Sequence, residues 1–140
     1  MFIGKRLLVA EDIEINREIL KNMLQGTGLT IDFARNGIDA LIMYEDNPQK
    51  YDLFITDISM PEMNGYEAAQ KIREYENKLI ENACEQGNSY KRIAIIAMTA
   101  NVSSVDIDKC FASGMNDHLG KPVELQELLK KLEKYLKPKS

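Results

Sequence analysis

A chain of 140 residues with a formal net charge of −4, 29% charged residues and no tryptophan has the composition of an ordinary globular protein, and residues 1–140 read as one domain. The acidic balance and the lack of a Lys/Arg stripe exclude a dedicated nucleic-acid surface. No apolar run approaches the roughly 18 residues of a membrane span, so a cytoplasmic setting without membrane insertion is expected. Cys84 and Cys110 are distant and have neither metal-ligand nor Cys-x-x-Cys spacing, so both read as reduced thiols.

Lys5 to Ala10 reads as a first strand, with Leu7, Leu8 and Val9 covered on both faces and Glu11 and Asp12 at its end. Glu14 to Gln25 is predicted as an amphipathic helix with Ile15, Ile19, Leu20, Met23 and Leu24 on its buried stripe, ended by Gly26 and Gly28. Leu29 to Ala34 is a second strand. Asn36-Gly37 then turns into a short helix that should carry Ile38, Leu41 and Ile42 inward and close at Pro48. The third strand, Leu53 to Thr56, ends on Asp57 within Y-D-L-F-I-T-D-I-S-M-P-E-M-N-G, where Met60-Pro61 and Asn64-Gly65 punctuate the loop.

A helix follows from Tyr66 to about Ala83, and the polar Asn82 to Ser89 segment is either a surface loop or an extended helix end. Arg92 to Met98 is the next strand, with Thr99 at its end. Ser103 to Ser113 is predicted as a helix burying Val105, Ile107, Cys110 and Phe111, with Gly114 as its C-cap. Asp117 to Gly120 is a brief fifth strand followed by Lys121-Pro122. Glu124 to Leu136 is a last helix with Leu125, Leu128, Leu129, Leu132 and Leu136 on one stripe. Strict alternation of strand and helix implies an α/β fold with parallel strands and right-handed crossovers.

Glu11, Asp12, Asp57, Thr99 and Lys121 all stand at strand ends, where an open α/β sheet binds its ligands. Two carboxylates 4 Å apart repel by about 4 kcal/mol under an effective dielectric near 20, so three that converge need a cation. A hard divalent ion such as Mg²⁺ takes oxygen ligands, and Lys121 supplies a further positive charge. In that setting Asp57 can act as a nucleophile toward phosphorus and Thr99 can donate a hydrogen bond to a phosphate oxygen. Taken singly, Glu11, Asp12 and Thr99 read as helix caps and Lys121 as a solvated surface lysine. Their joint order favours the site.

The acidic pair E-D, the D-x-x-M-P-x-x-N-G loop, the strand-ending M-T-A and the late K-P, in this order over essentially the whole length, resemble the receiver domain of two-component response regulators. The resemblance implies a flavodoxin-like, doubly wound five-stranded parallel sheet of order 2-1-3-4-5. It makes Asp57 the phosphoacceptor, Glu11, Asp12, Asp57 and the Ser59 backbone carbonyl the ligands of Mg²⁺ or a substituting Mn²⁺, and Lys121 the phosphate-contacting lysine. Thr99 and His118 become the switch residues, and Lys121-Pro122 a cis peptide. The implied partner is a histidine kinase or histidine phosphotransfer domain, docking near Asn16, Ile19 and Leu20, and weak homodimerisation is allowed for. The activity implied is not ordinary turnover: the domain assists its own phosphorylation and slow dephosphorylation.

The runs A-E-D-x-x-x-N-R, A-M-T-A-N and K-C-x-x-x-G-M-N-D-x-L-x-K-P-V look most like receivers of hybrid histidine kinases. The chain departs from such receivers at Ile13, where they often carry Asn, at His118, where Tyr or Phe is common, and in the long polar Asn77 to Lys91 stretch. A haloacid-dehalogenase-type phosphohydrolase would need a second Asp two residues after the nucleophile, where Ser59 stands. The third reading, a receiver-like interaction module that is never phosphorylated, has the retained site groups against it.

Overall fold

The computed structural model describes residues 2–87, 90–100 and 103–136. Asn88 and Ser89 of the polar segment, Asn101 of the A-M-T-A-N run and the tail after Leu136 lie outside the described residues. In chain order the elements are β1 (Arg6–Ala10), α1 (Glu14–Met23), β2 (Thr30–Ala34), α2 (Gly37–Asp46), β3 (Leu53–Asp57), α3 (Gly65–Glu85), β4 (Ala94–Thr99), α4 (Ser104–Ala112), β5 (Asp117–Gly120) and α5 (Leu125–Leu136). The strands form one sheet of order β2-β1-β3-β4-β5, and every neighbouring pair is parallel. The flavodoxin-like order expected from the resemblance is the order observed.

Because side chains alternate across a strand, the sheet has a core on each face. Leu8, Ala10, Phe54, Ile95 and Ala97 pack with Ala40, Tyr44, Ala68, Ala69, Ile72 and Cys110 of α2, α3 and α4. Leu7, Val9, Leu53, Ile55, Ile96 and Met98 pack with Leu20 of α1 and Leu128, Leu132 and Leu136 of α5. The near-continuous apolar reading of β1, β3 and β4 follows from burial on both faces.

Several helix-stripe assignments are corrected by geometry. Successive residues of a helix are about 100° apart, so Ile15 and Ile19 stand about 140° and 100° around α1 from Leu20. They are 67% and 51% exposed, and Leu20 and Leu24 take the buried line. In α2 the inward residues are Ala40 and Tyr44; Ile38 and Ile42 point about 160° away from Ala40 and are exposed. In α4 only Cys110 is fully buried, Ile107 is half-buried, and Val105 and Phe111 face outward. Of the polar segment after Ala83, Cys84 and Glu85 extend α3, which ends with Gln86 as its C-cap. Leu125 and Leu129 of α5 are likewise only partly covered.

The topology places the functional end. From β1 the chain crosses outward to β2 and then returns to β3 on the other side, so the carboxyl ends of β1 and β3 border the switch-point crevice of the sheet. Register does the rest. Ala10 pairs with Thr56, which puts Glu11 beside Asp57, and Thr99 pairs with Gly120, which puts Lys121 across from the β4 end.

Candidate functional site

Asp57 is the last residue of β3 and is 5% exposed. The chain leaves it through a turn in which the Gly65 N–H donates to the Ile58 carbonyl at 2.9 Å. A Cβ at Gly65 would collide with the Asp57 carbonyl, which explains glycine in the Asn64-Gly65 pair. Asn64 caps α3: its side chain accepts from the Glu67 N–H at 2.9 Å and Glu67 reaches back to the Asn64 N–H. The Asp57 loop is thereby held between a strand and a capped helix.

Glu11, at the end of β1, is 1% exposed, and Asp12 beside it is half-buried. Glu11, Asp12 and Asp57 each offer a carboxylate oxygen, and these atoms lie within 4.8 Å of one another. Both carboxylate oxygens of Glu11 and Oδ1 of Asp12 are buried without a hydrogen-bond partner. The ammonium of Lys121 lies 2.8 Å from Asp57 Oδ2 and 4.0 Å from Glu11 Oε1. Lys121 is thus paired with two of the three carboxylates. Burial and, next, the neighbouring Asp57 carboxylate push Glu11 from the ordinary 4.5 up to about 7.

Lys121 is positioned by β4 as well as by β5, since its N–H donates to the Thr99 carbonyl at 2.9 Å, and the Lys121-Pro122 bond is cis. Thr99 is buried at the β4 end. His118 lies on β5 opposite Ala97, half-buried, with its Nδ1 buried and lacking a hydrogen-bond partner at 3.9 Å from Asp117 Oδ1. Ser59 is exposed in the loop after Asp57. Glu11, Asp12, Asp57 and Lys121 thus meet directly, with Thr99 joined to Lys121 through its backbone.

Beside this cluster a groove of about 430 Å³ runs between α1 and the β5–α5 turn, lined by Ile19, Leu20, Met23, Met98, Pro122 and Val123 as well as Glu11 and Lys121. Ile13, the N-cap of α1, and Ile15 in its first turn are also exposed. The sequence reading missed a second polar cluster. Glu76, fully buried on α3, accepts from Arg73 at 2.6 Å, from the Ile93 N–H at 2.7 Å and from Arg92 at 3.3 Å. Arg73 also donates to the Gly114 and Ile93 carbonyls and to Asn116 Oδ1, each at 2.8 Å. It ties α3 to the starts of β4 and β5.

Residues 7–133 match the family model described as the response regulator receiver domain. Among curated relatives, the chain is 40% identical over 95% of its length to hybrid signal transduction histidine kinase L of Dictyostelium discoideum, and 36% identical over 94% to histidine kinase 5 of Arabidopsis thaliana. It spans only 7% and 16% of those two proteins. Among solved structures it is similar to the complex of the Saccharomyces cerevisiae histidine phosphotransfer protein Ypd1 with the receiver domain of Ssk1. That match has a TM-score of 0.87 at 32% identity and covers 97% of this chain and 91% of the other. The receiver domain of a Pseudomonas aeruginosa sensor histidine kinase, with magnesium coordinated in its active-site cleft, gives a TM-score of 0.76 at 32% identity over 95% and 98% of the two chains. By sequence model, by relatives and by fold, this chain belongs to the response regulator receiver domain family.

Proposed function

We propose that this receiver domain, taken as one unit over residues 1–140, accepts a phosphoryl group on Asp57 from a phosphohistidine protein in a two-component phosphorelay. The observation that carries the reading is the meeting of Glu11, Asp12 and Asp57 oxygens within 4.8 Å, with both Glu11 carboxylate oxygens and Asp12 Oδ1 buried and lacking a hydrogen-bond partner. Such a set fits a hard divalent cation, and Mg²⁺ or Mn²⁺ held by Glu11, Asp12, Asp57 and the Ser59 carbonyl is the assignment made here. The bound ion would supply charge neutralisation for the transferring group. The solved relative with magnesium in its cleft supports the same choice.

Asp57 supplies the nucleophile: a carboxylate oxygen forms the new P–O bond while the donor's P–N bond breaks and its electron pair returns to the imidazole nitrogen. Lys121, already 2.8 Å from Asp57 Oδ2, stays within reach of the added phosphate oxygens. Thr99 donates its hydroxyl to the same group and, with His118, transmits the change. The added charge and acceptor oxygens favour a conformation that the free domain populates less. The donor's histidine must approach over the β1 and β3 ends, so its protein docks on the side of α1 that carries half-buried Asn16 and exposed Ile19 and in the groove that Leu20 lines. The solved receiver bound to a histidine phosphotransfer protein supports that class of partner.

Incubation with acetyl phosphate and Mg²⁺, followed by intact-mass measurement, tests the reading. One stable phosphoryl adduct, lost with chelator and absent in Asp57→Asn, is the expected result. Continuous phosphate release without an adduct, or a phosphoryl group on Ser59 or Thr56, would contradict it.

A further inference from the structure

Arg17 reaches back from α1 across the strand-to-helix turn, and its Nη1 donates a 2.8 Å hydrogen bond to the backbone carbonyl of Glu11. Its own N–H donates to the Ile13 carbonyl at 3.2 Å, so backbone and side chain of one residue are both tied into the turn that carries the acidic pair. On the other side, the Glu11 N–H donates to the Ala34 carbonyl of β2 at 3.0 Å. The two peptide groups that flank Glu11 are therefore fixed, one by the sheet and one by Arg17.

The helix start itself contributes little to that order. Ile13 is the N-cap of α1, and it makes no side-chain capping bond because its side chain has no acceptor atom. The peptide group between Glu11 and Asp12 is shared by both acidic residues, so tilting it would swing their carboxylates together out of the arrangement with Asp57. We propose that Arg17 is a positioning residue: by holding the Glu11 carbonyl it keeps the Glu11 and Asp12 carboxylates aligned for a cation, in place of the cap that Ile13 cannot supply. This rests on the assignment of Glu11, Asp12 and Asp57 as cation ligands.

The sign of one substitution decides the matter. A guanidinium held at the Glu11 backbone repels a metal ion bound by the Glu11 carboxylate, so if Arg17 acted only through its charge, Arg17→Met would tighten cation binding. Positioning predicts the reverse. Calorimetric titration of the full chain with Mg²⁺ and with Mn²⁺, with circular dichroism to confirm the fold, should show Arg17→Met weakening both ions roughly tenfold, the size typical of losing an outer partner of a metal site. Arg17→Lys, which keeps a donor on a long stem, should recover most of the loss, and Ile13→Asn should recover part of it in the methionine background. If Arg17→Met does not fold, Arg17→Gln, a neutral donor on a shorter stem, should show a weakening in the same direction. Unchanged or tighter binding by a folded Arg17→Met or Arg17→Gln variant overturns the proposal. Absence of binding by the unaltered protein would overturn the cation assignment and this proposal with it.

Discussion

Glu11 is the residue at which burial and charge conflict most. Its carboxyl sits at about 7, above the ordinary 4.5, so the metal-free folded chain holds the proton more tightly than the unfolded chain does. The stability from this is fully present below the unfolded value and is lost as pH rises through about 7. Cation binding must release that proton, so the gain in Tm on adding Mg²⁺ should grow between about pH 5 and pH 8. A pH-independent gain would show that Glu11 is not a ligand. His118 makes a different point. Its buried Nδ1 lacks a partner, and an unsatisfied buried polar atom costs on the order of 1–3 kcal/mol, so His118→Phe should raise the unfolding free energy by about 1 kcal/mol in a denaturant titration. A loss instead would reveal an imidazole contact that matters.

At the scale of elements, the helices are fastened to the sheet by polar ties as well as by apolar burial. Arg73 and Glu76 form a buried pair on α3, with Glu76 fully covered and also accepting from Arg92 and the Ile93 N–H. Removing Arg73 leaves buried Glu76 with only Arg92 and the Ile93 N–H as partners, so Arg73→Met should cost about 2–3 kcal/mol in denaturant unfolding, below the full cost of an unpaired buried charge and with the site residues untouched. A loss under about 1 kcal/mol would mean that water replaces the guanidinium at no cost. Asp117 joins β5 to α5 through Lys131 at 2.7 Å and Tyr135 at 3.0 Å. Burial alone would raise its carboxyl, but the Lys131, His118 N–H and Tyr135 bonds hold it below the ordinary 3.8. Its contribution is present above that value and is lost as pH falls through the depressed one. Lys131→Met should therefore lower Tm at neutral pH, with the difference shrinking as the solution is acidified below the ordinary 3.8; a difference that persists unchanged in acid would point to packing rather than charge.

Across the whole molecule, the sheet was legible because β1, β3 and β4 are buried on both faces and so read as apolar runs. The candidate site was legible because register turns sequence motifs into neighbours: Asp57 and Thr99 end β3 and β4, Glu11 and Lys121 stand one step past β1 and β5, and Asp12 two steps past β1. Helix faces were less so. Ile15, Ile19, Ile38, Ile42, Val105 and Phe111 are apolar yet exposed, and spacing alone cannot say which of two apolar stripes meets the sheet. Glu76 left a signal that could have been used, since it falls four residues after Ile72 and eight after Ala68 on the buried line of α3. Arg17 left none, because its partner is a backbone carbonyl. Among the described residues no helix is long and apolar enough to cross a membrane.

Asp57 is the proposed acceptor of a phosphoryl group from phosphohistidine. The direct measurement is transfer of labelled phosphate from a phosphorylated histidine phosphotransfer protein to this chain, with and without Mg²⁺, for the unaltered protein and for Asp57→Asn. The label should move only with Mg²⁺, only to the unaltered protein, and into an acid-stable, base-labile form located on Asp57. Label that stays on the donor with Mg²⁺ present, or that reaches the Asp57→Asn protein equally well, would contradict the account.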